Sequence, residues 1–158
     1  MVIFYETDNF IVYVSDKPHV IRTDGGHIVI KPKVPVESRW DFSPELATEL
    51  MRLSMIVGEA MKQGLNNRGI PVERINFQDN CNWAFVKNKK PFFHLHLYGR
   101  SKDSKIQRRG QALSIPDCGS DFFNTSEPLN AEDIEEIKRI MDEIMNKDKY
   151  KLEKWGFD

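Results

Sequence analysis

The sequence predicts an α+β fold: an antiparallel five-stranded meander sheet carrying one long helix and a C-terminal helix. Three observations predict it. Runs of β-branched and aromatic residues recur between turn signals, an amphipathic stretch of helical period follows the second run, and a second apolar stripe of that period closes the chain. No internal repeat or low-complexity tract interrupts the pattern.

Phe10-Ile11-Val12-Tyr13-Val14 reads as strand one and ends at the turn-forming Ser15-Asp16-Lys17-Pro18. After Gly25-Gly26, His27-Ile28-Val29-Ile30-Lys31 reads as strand two and stops at Pro32, which cannot donate to a ladder. Ser43-Pro44-Glu45 supplies an N-cap, a first-position proline and an early acid, and Gly64 offers a left-handed end, so a helix is expected between them. Its apolar face is Leu46, Leu50, Leu53, Val57, Ala60 and Met61. Arg74-Ile75-Asn76-Phe77 and Trp83-Ala84-Phe85-Val86 read as strands three and four, and the lysine-rich tip Lys87–Lys90 leads into strand five. Residues 110–128 show little periodicity. Asn130-Ala131-Glu132-Asp133 then caps a helix whose buried stripe is Ile134, Ile137, Ile140, Met141 and Ile144.

Strand five is the segment Phe93-His94-Leu95-His96-Leu97-Tyr98-Gly99-Arg100, which holds two of the four histidines. Side chains alternate across a strand, so His94 and His96 share one face while Phe93, Leu95 and Leu97 bury the other. The two rings start ~6–7 Å apart, a spacing that fits a phosphate-sized group or a metal ion. A surface strand with two outward histidines is the plain alternative.

With 158 residues, 40% of them hydrophobic and 30% charged, the chain has enough material for a core without metal or disulfide support. A single domain is expected over 1–158, with a core of about residues 10–100 and an extension over 101–158. A formal charge of −1 argues against a binder driven by nucleic-acid electrostatics, although basic residues gather between Lys87 and Arg109. Cys81 and Cys118 form no paired motif and fit a reducing compartment. The N-terminus lacks the length and basic flank of a signal peptide, and no apolar run approaches the ~18 residues of a membrane span, so a cytoplasmic location is expected.

The histidine strand resembles the signature of the histidine-triad (HIT) family of nucleotide hydrolases and transferases, His-φ-His-φ-His-φ-φ followed by Pro or Gly and then Arg, with φ apolar. The resemblance extends to Gly26-His27-Ile28-Val29-Ile30-Lys31-Pro32 and to Phe42-Ser43-Pro44-Glu45, and covers roughly residues 10–100. Only two triad histidines are present. Since the family's Arg commonly sits four residues after its third histidine, as Arg100 does after His96, the preferred register makes Phe92 the first position, His94 the middle and His96 the third. The other register makes Tyr98 the third.

The resemblance implies a HIT-like fold and a hydrolase that cleaves at the α-phosphate of a nucleotide conjugate, such as a diadenosine polyphosphate. In the family the middle histidine is the nucleophile, which assigns a nucleotidyl-histidine intermediate to His94 and a proton or hydrogen bond to His96. A His at the third position favours hydrolysis over transfer, since transferring branches often carry Gln there. By the same resemblance His27, Gln78, Asn80, Asn88, Lys89 and Arg100 are candidate substrate-binding residues. No metal site and no cofactor beyond a divalent ion accompanying the nucleotide is implied. The partner is then a small nucleotide rather than a membrane or nucleic acid, and a homodimer joined edge to edge is expected. Two rival readings stay open. One is a nucleotide-binding module without turnover. The other is a metal-dependent enzyme using His94 and His96, for which His19 and His27 are the remaining histidine ligands.

Overall fold

A computed structural model describes residues 1–157. Five antiparallel strands form one sheet: β1 (Val2–Glu6), β2 (Phe10–Val14), β3 (His27–Pro32), β4 (Val72–Gln78) and β5 (Leu95–Ser101). Their order is β1-β2-β3-β5-β4, which sets β5 between β3 and β4. The α+β expectation with five antiparallel strands holds.

Two members of the expected set differ. Trp83–Val86 is a short helix, α2, not a strand. It is bracketed by Cys81 at φ 48° and Asn88 at φ 49°, left-handed residues that turn the chain out of the sheet and back. Phe85 and Val86 are consequently exposed. β4 therefore pairs directly with β5 instead of meandering through a fourth strand. The fifth strand comes from the N-terminus, where Val2–Glu6 pairs with β2 across an irregularity between Ile3 and Tyr5.

The long helix α1 spans Pro44–Asn67, with Leu46 N–H donating to Ser43 Oγ at 3.3 Å. It runs past Gly64, the expected end. Gly64 serves packing instead: a Cβ there would stand 3.0 Å from Ile137 Cγ1 and 3.2 Å from its backbone, so its lack of a side chain lets α1 approach the C-terminal helix α4 (Ala131–Met145). A fourth helix, α3, is the single turn Phe122–Thr125.

One face of the sheet presents Ile28, Ile30, Leu95 and Leu97 to the core, together with Leu53, Ile56, Val57, Ala60 and Met61 of α1 and the Ile stripe of α4. No helix among the described residues is long and apolar enough to cross a membrane. Trp155 packs against this core and donates to Lys149 O at 2.8 Å, tying down the tail.

The segment after β5 is held by buried polar groups. The Asp24 carboxylate, 1% exposed, accepts the Lys105 and Ile106 amides at 3.1 Å each, and Arg22 N–H donates to Glu127 O at 2.9 Å. Gln107 brackets Ser114 through both ends of its amide. At the same end of β3, Gly99 lies so close to Gly25 that a Cβ would meet Gly25 O at 2.0 Å. Only two facing glycines allow that approach.

Candidate active site

The face of the sheet opposite α1 carries the histidines. In the β3–β5 ladder His27 pairs with Tyr98 and Val29 with His96, while β4 sets Gln78 beside His96 and Asn76 beside Tyr98. Phe93, Leu95 and Leu97 are buried on the core side, as strand alternation requires. His94 precedes the first ladder residue of β5 and is half-buried, whereas His96 is 5% exposed. Their ring centroids lie 4.5 Å apart at 75°.

Hydrogen bonds assign a tautomer to each ring. His94 Nδ1 lies 2.7 Å from Phe92 O, and a carbonyl can only accept, so Nδ1 carries a proton and, in the neutral ring, Nε2 keeps its lone pair. His19 N–H donates to His27 Nδ1 at 3.2 Å, which leaves the His27 proton on Nε2, 2.8 Å from His96 Nδ1. His96 then bears its own proton on Nε2. Tyr98 O–H accepts from Asn80 at 3.4 Å and meets His19 Nδ1 at 2.7 Å, so it donates to that ring. Two donor chains thus meet at His19: Asn80 to Tyr98 to the His19 ring, and the His19 main-chain amide to His27 to His96.

Electrostatics agree with these neutral forms. Burial, reinforced by His96, His19 and His94, pushes His27 well below its ordinary pKa. Burial, then His94 and His19, pushes His96 down to about 2, and burial with His94 pushes His19 down to about 4. Burial also raises the Tyr98 phenol, which stays protonated.

His94 and His96 line a cavity of ≈ 650 Å³ with His19, Asn80, Trp83 and Lys89. Of the other expected binding residues, His27 is shut behind His96, 2% exposed. Gln78 stands beside His96 with a buried Oε1 that finds no partner among the described residues. Asn88 is exposed just after α2 and does not line the cavity. Arg100 lies apart from this cavity: its guanidinium is engaged by Arg108 O at 3.1 Å, Gln111 O at 3.0 Å and Asn76 at 3.5 Å, in a separate cleft. That contact organises the following loop.

Three residues absent from the sequence-based site belong to it. Tyr98 was legible, since it continues the alternation of His94 and His96. Trp83 enters only because α2 replaces a strand, and His19 enters on an irregular loop that leaves no periodic signal. Among the described residues, His19, His27 and His96 are the only group with ligand atoms close enough for a metal, within 4.8 Å of one another, and His94 is not part of it. Both His27 nitrogens and His96 Nδ1 are already committed to the hydrogen-bond chain. A metal at His27 Nε2 would force the proton onto Nδ1, against the His19 amide. The arrangement therefore fits a hydrogen-bonded cluster of neutral imidazoles better than a metal centre.

No protein-family model matches the sequence, and no curated protein does. Solved structures do match. A Zn-bound histidine triad family protein from Mycobacterium smegmatis superposes with a TM-score of 0.57 at 19% identity, covering 90% of this chain and 84% of that one. A hypothetical histidine triad nucleotide-binding protein from Sulfolobus tokodaii gives 0.57 at 13% identity, over 92% and 87% of the two chains. A Hit-like protein involved in cell-cycle regulation from Bartonella henselae gives 0.56 at 16% identity, over 88% and 85%. The sheet order, the long helix and these superpositions together give the chain a histidine-triad fold.

Proposed function

We propose that the protein is a nucleotide hydrolase that splits a nucleotide conjugate at its α-phosphate through a nucleotidyl-histidine on His94. The observation that carries this reading is the 2.7 Å contact between His94 Nδ1 and Phe92 O, which leaves an unprotonated Nε2 on a residue lining an open cavity. It also favours the register with Phe92 first, His94 in the middle and His96 third, because His96 Nδ1 is occupied by His27.

In the first step the Nε2 lone pair forms a bond to phosphorus, and the bond from phosphorus to the bridging atom breaks with its electron pair on the departing group. In the second, water opens the nitrogen–phosphorus bond and releases a nucleoside monophosphate and a proton. With its pKa pushed to about 2, His96 is no imidazolium acid at neutral pH; its Nε2–H acts as a neutral donor to the phosphate oxygens. Asn80 and Lys89, on the cavity wall, supply further polar contacts for substrate.

Brief incubation with labelled diadenosine triphosphate, alkaline quenching and peptide mass analysis tests the reading. A nucleotide on His94, absent from His94→Ala, is the expected result. An adduct on His96 would select the other register, and binding without monophosphate release would favour the non-catalytic module.

A further inference from the structure

Lys31 is the charged group that this chemistry leaves unexplained. It lies on β3 with His27 and Val29, on the face opposite the core residues Ile28 and Ile30. His27 pairs with Tyr98 and Val29 with His96, so one further step of the same register sets Lys31 across from His94. It lines the same cavity.

The lysine is half-buried, yet among the described residues no carboxylate pairs with it, whereas Lys33 two positions on is paired with Glu6 at 2.9 Å. Instead its Nζ stands 5.8 Å from the Tyr13 ring centroid and 5.9 Å from that of Phe92. Both distances sit at the ~6 Å outer limit of cation–π attraction, so the rings guide the amine without satisfying its charge. Lys87 and Lys89 continue the same wall, and Asp117 is the single acid lining the cavity. A guided, uncompensated ammonium facing an open cavity is a receptor for an anion arriving from solution.

We propose that Lys31 binds the departing phosphate of the substrate and supplies, from β3, the polar contact that the apolar Phe92 cannot supply from the first position of the histidine row. This rests on the reading of His94 as nucleophile. When the bond between phosphorus and the bridging oxygen breaks, the electron pair stays on the departing phosphate. Its added charge develops beside Lys31, which keeps its protons. A departing amine takes up a proton from solvent as its bond to phosphorus breaks, so it gains no such negative charge. The site is therefore matched to conjugates whose leaving part begins with a phosphate, with Lys87 and Lys89 placed for phosphates farther along.

Lys31→Met keeps the apolar stem and removes the charge, and Lys31→Arg keeps the charge. For Lys31→Met, kcat/KM for diadenosine triphosphate is expected to fall by about 10²-fold, as on loss of one transition-state donor, while adenosine phosphoramidate changes by less than about threefold. Lys31→Arg is expected to restore most of the loss. Equal losses on both substrates, or none on the triphosphate, would overturn the assignment. Titration calorimetry of the full chain with inorganic tripolyphosphate reads the site without turnover. Salt-sensitive binding that weakens about tenfold in Lys31→Met supports it, and identical binding by both proteins refutes it. Should that binding difference appear while neither nucleotide is split by the wild type, the anion site stands and the nucleophile reading falls. Unchanged urea midpoints exclude misfolding.

Discussion

His27 Nε2 and His96 Nδ1 lie 2.8 Å apart across two adjacent strands, both rings out of solvent, with one proton between them. Either ring in its charged form would put two donors face to face in a dry environment. The pair works only while neutral.

Acid is therefore expected to destabilise the fold. Unfolded histidines titrate near ~6.5, whereas His19 and His96 are pushed down to about 4 and about 2, and His27 well below its ordinary value. Below ~6.5 the unfolded chain binds more protons, so stability falls with pH; above it the contribution is complete. Three such groups together remove up to about 4 kcal/mol per pH unit. Urea unfolding at about pH 7.5 and about pH 5 measures the slope, and His27→Gln should flatten it. A stability that does not change across that interval would contradict neutral burial.

Turnover separates the two cavity histidines. His94→Ala is expected to abolish it. His96→Phe removes one donor and should lower kcat by about 10²–10³-fold, with His96→Gln retaining more because it keeps an N–H. Full activity in His96→Phe would show that its ring does not meet the phosphate.

Asp133 joins the first turn of α4 to the loop before β3. Its fully buried carboxylate accepts from Arg22 Nε and Nη2, at 2.6 and 2.8 Å, and from the Asn130 amide. Burial alone would raise its pKa, but these bonds outweigh it and hold the group below the usual carboxylate range. Removing one partner of such a pair costs about 3–5 kcal/mol. Asp133→Ala should accordingly lower Tm by about 10 °C or more; a shift of a degree or two would mean that solvent already screens the contact.

Two glycine substitutions rank the close approaches. Gly64→Ala gains about 1 kcal/mol of helix propensity but crowds Ile137, an overpacking cost of about 1–3 kcal/mol, so a modest net loss is expected. Gly99→Ala has no such relief, because the obstacle is the Gly25 backbone itself. Thermal melts should place Gly99→Ala far below Gly64→Ala, and the reverse order would place the tighter contact between the helices.

The regular elements were legible where period and capping agree. Ser43 and Pro44 began α1, the Ile stripe marked α4, and alternation placed His94 and His96 on one face. The misreadings have local causes. Gly64 reads as a terminator in the sequence because a helix-spanning glycine and a capping one look alike until the neighbour is known. Trp83–Val86 has strand composition, but the left-handed Cys81 and Asn88 that turn it into a helix carry no glycine to announce them. His19 reached the site through loop geometry, which no periodicity encodes, and Arg100 left it because the carbonyls of Arg108 and Gln111 compete for its guanidinium.

The stretch running from Ile106 to Glu127 departs from and returns to the same three residues, Arg22–Asp24, through amides donated to Asp24 and a carbonyl that takes the Arg22 amide. It is thus a loop cinched at its neck, with Ile115–Cys118 draped beside the cavity. Lengthening or reshaping its middle leaves that neck tied, so ligand size and access can be retuned there without disturbing the strands that aim the imidazoles.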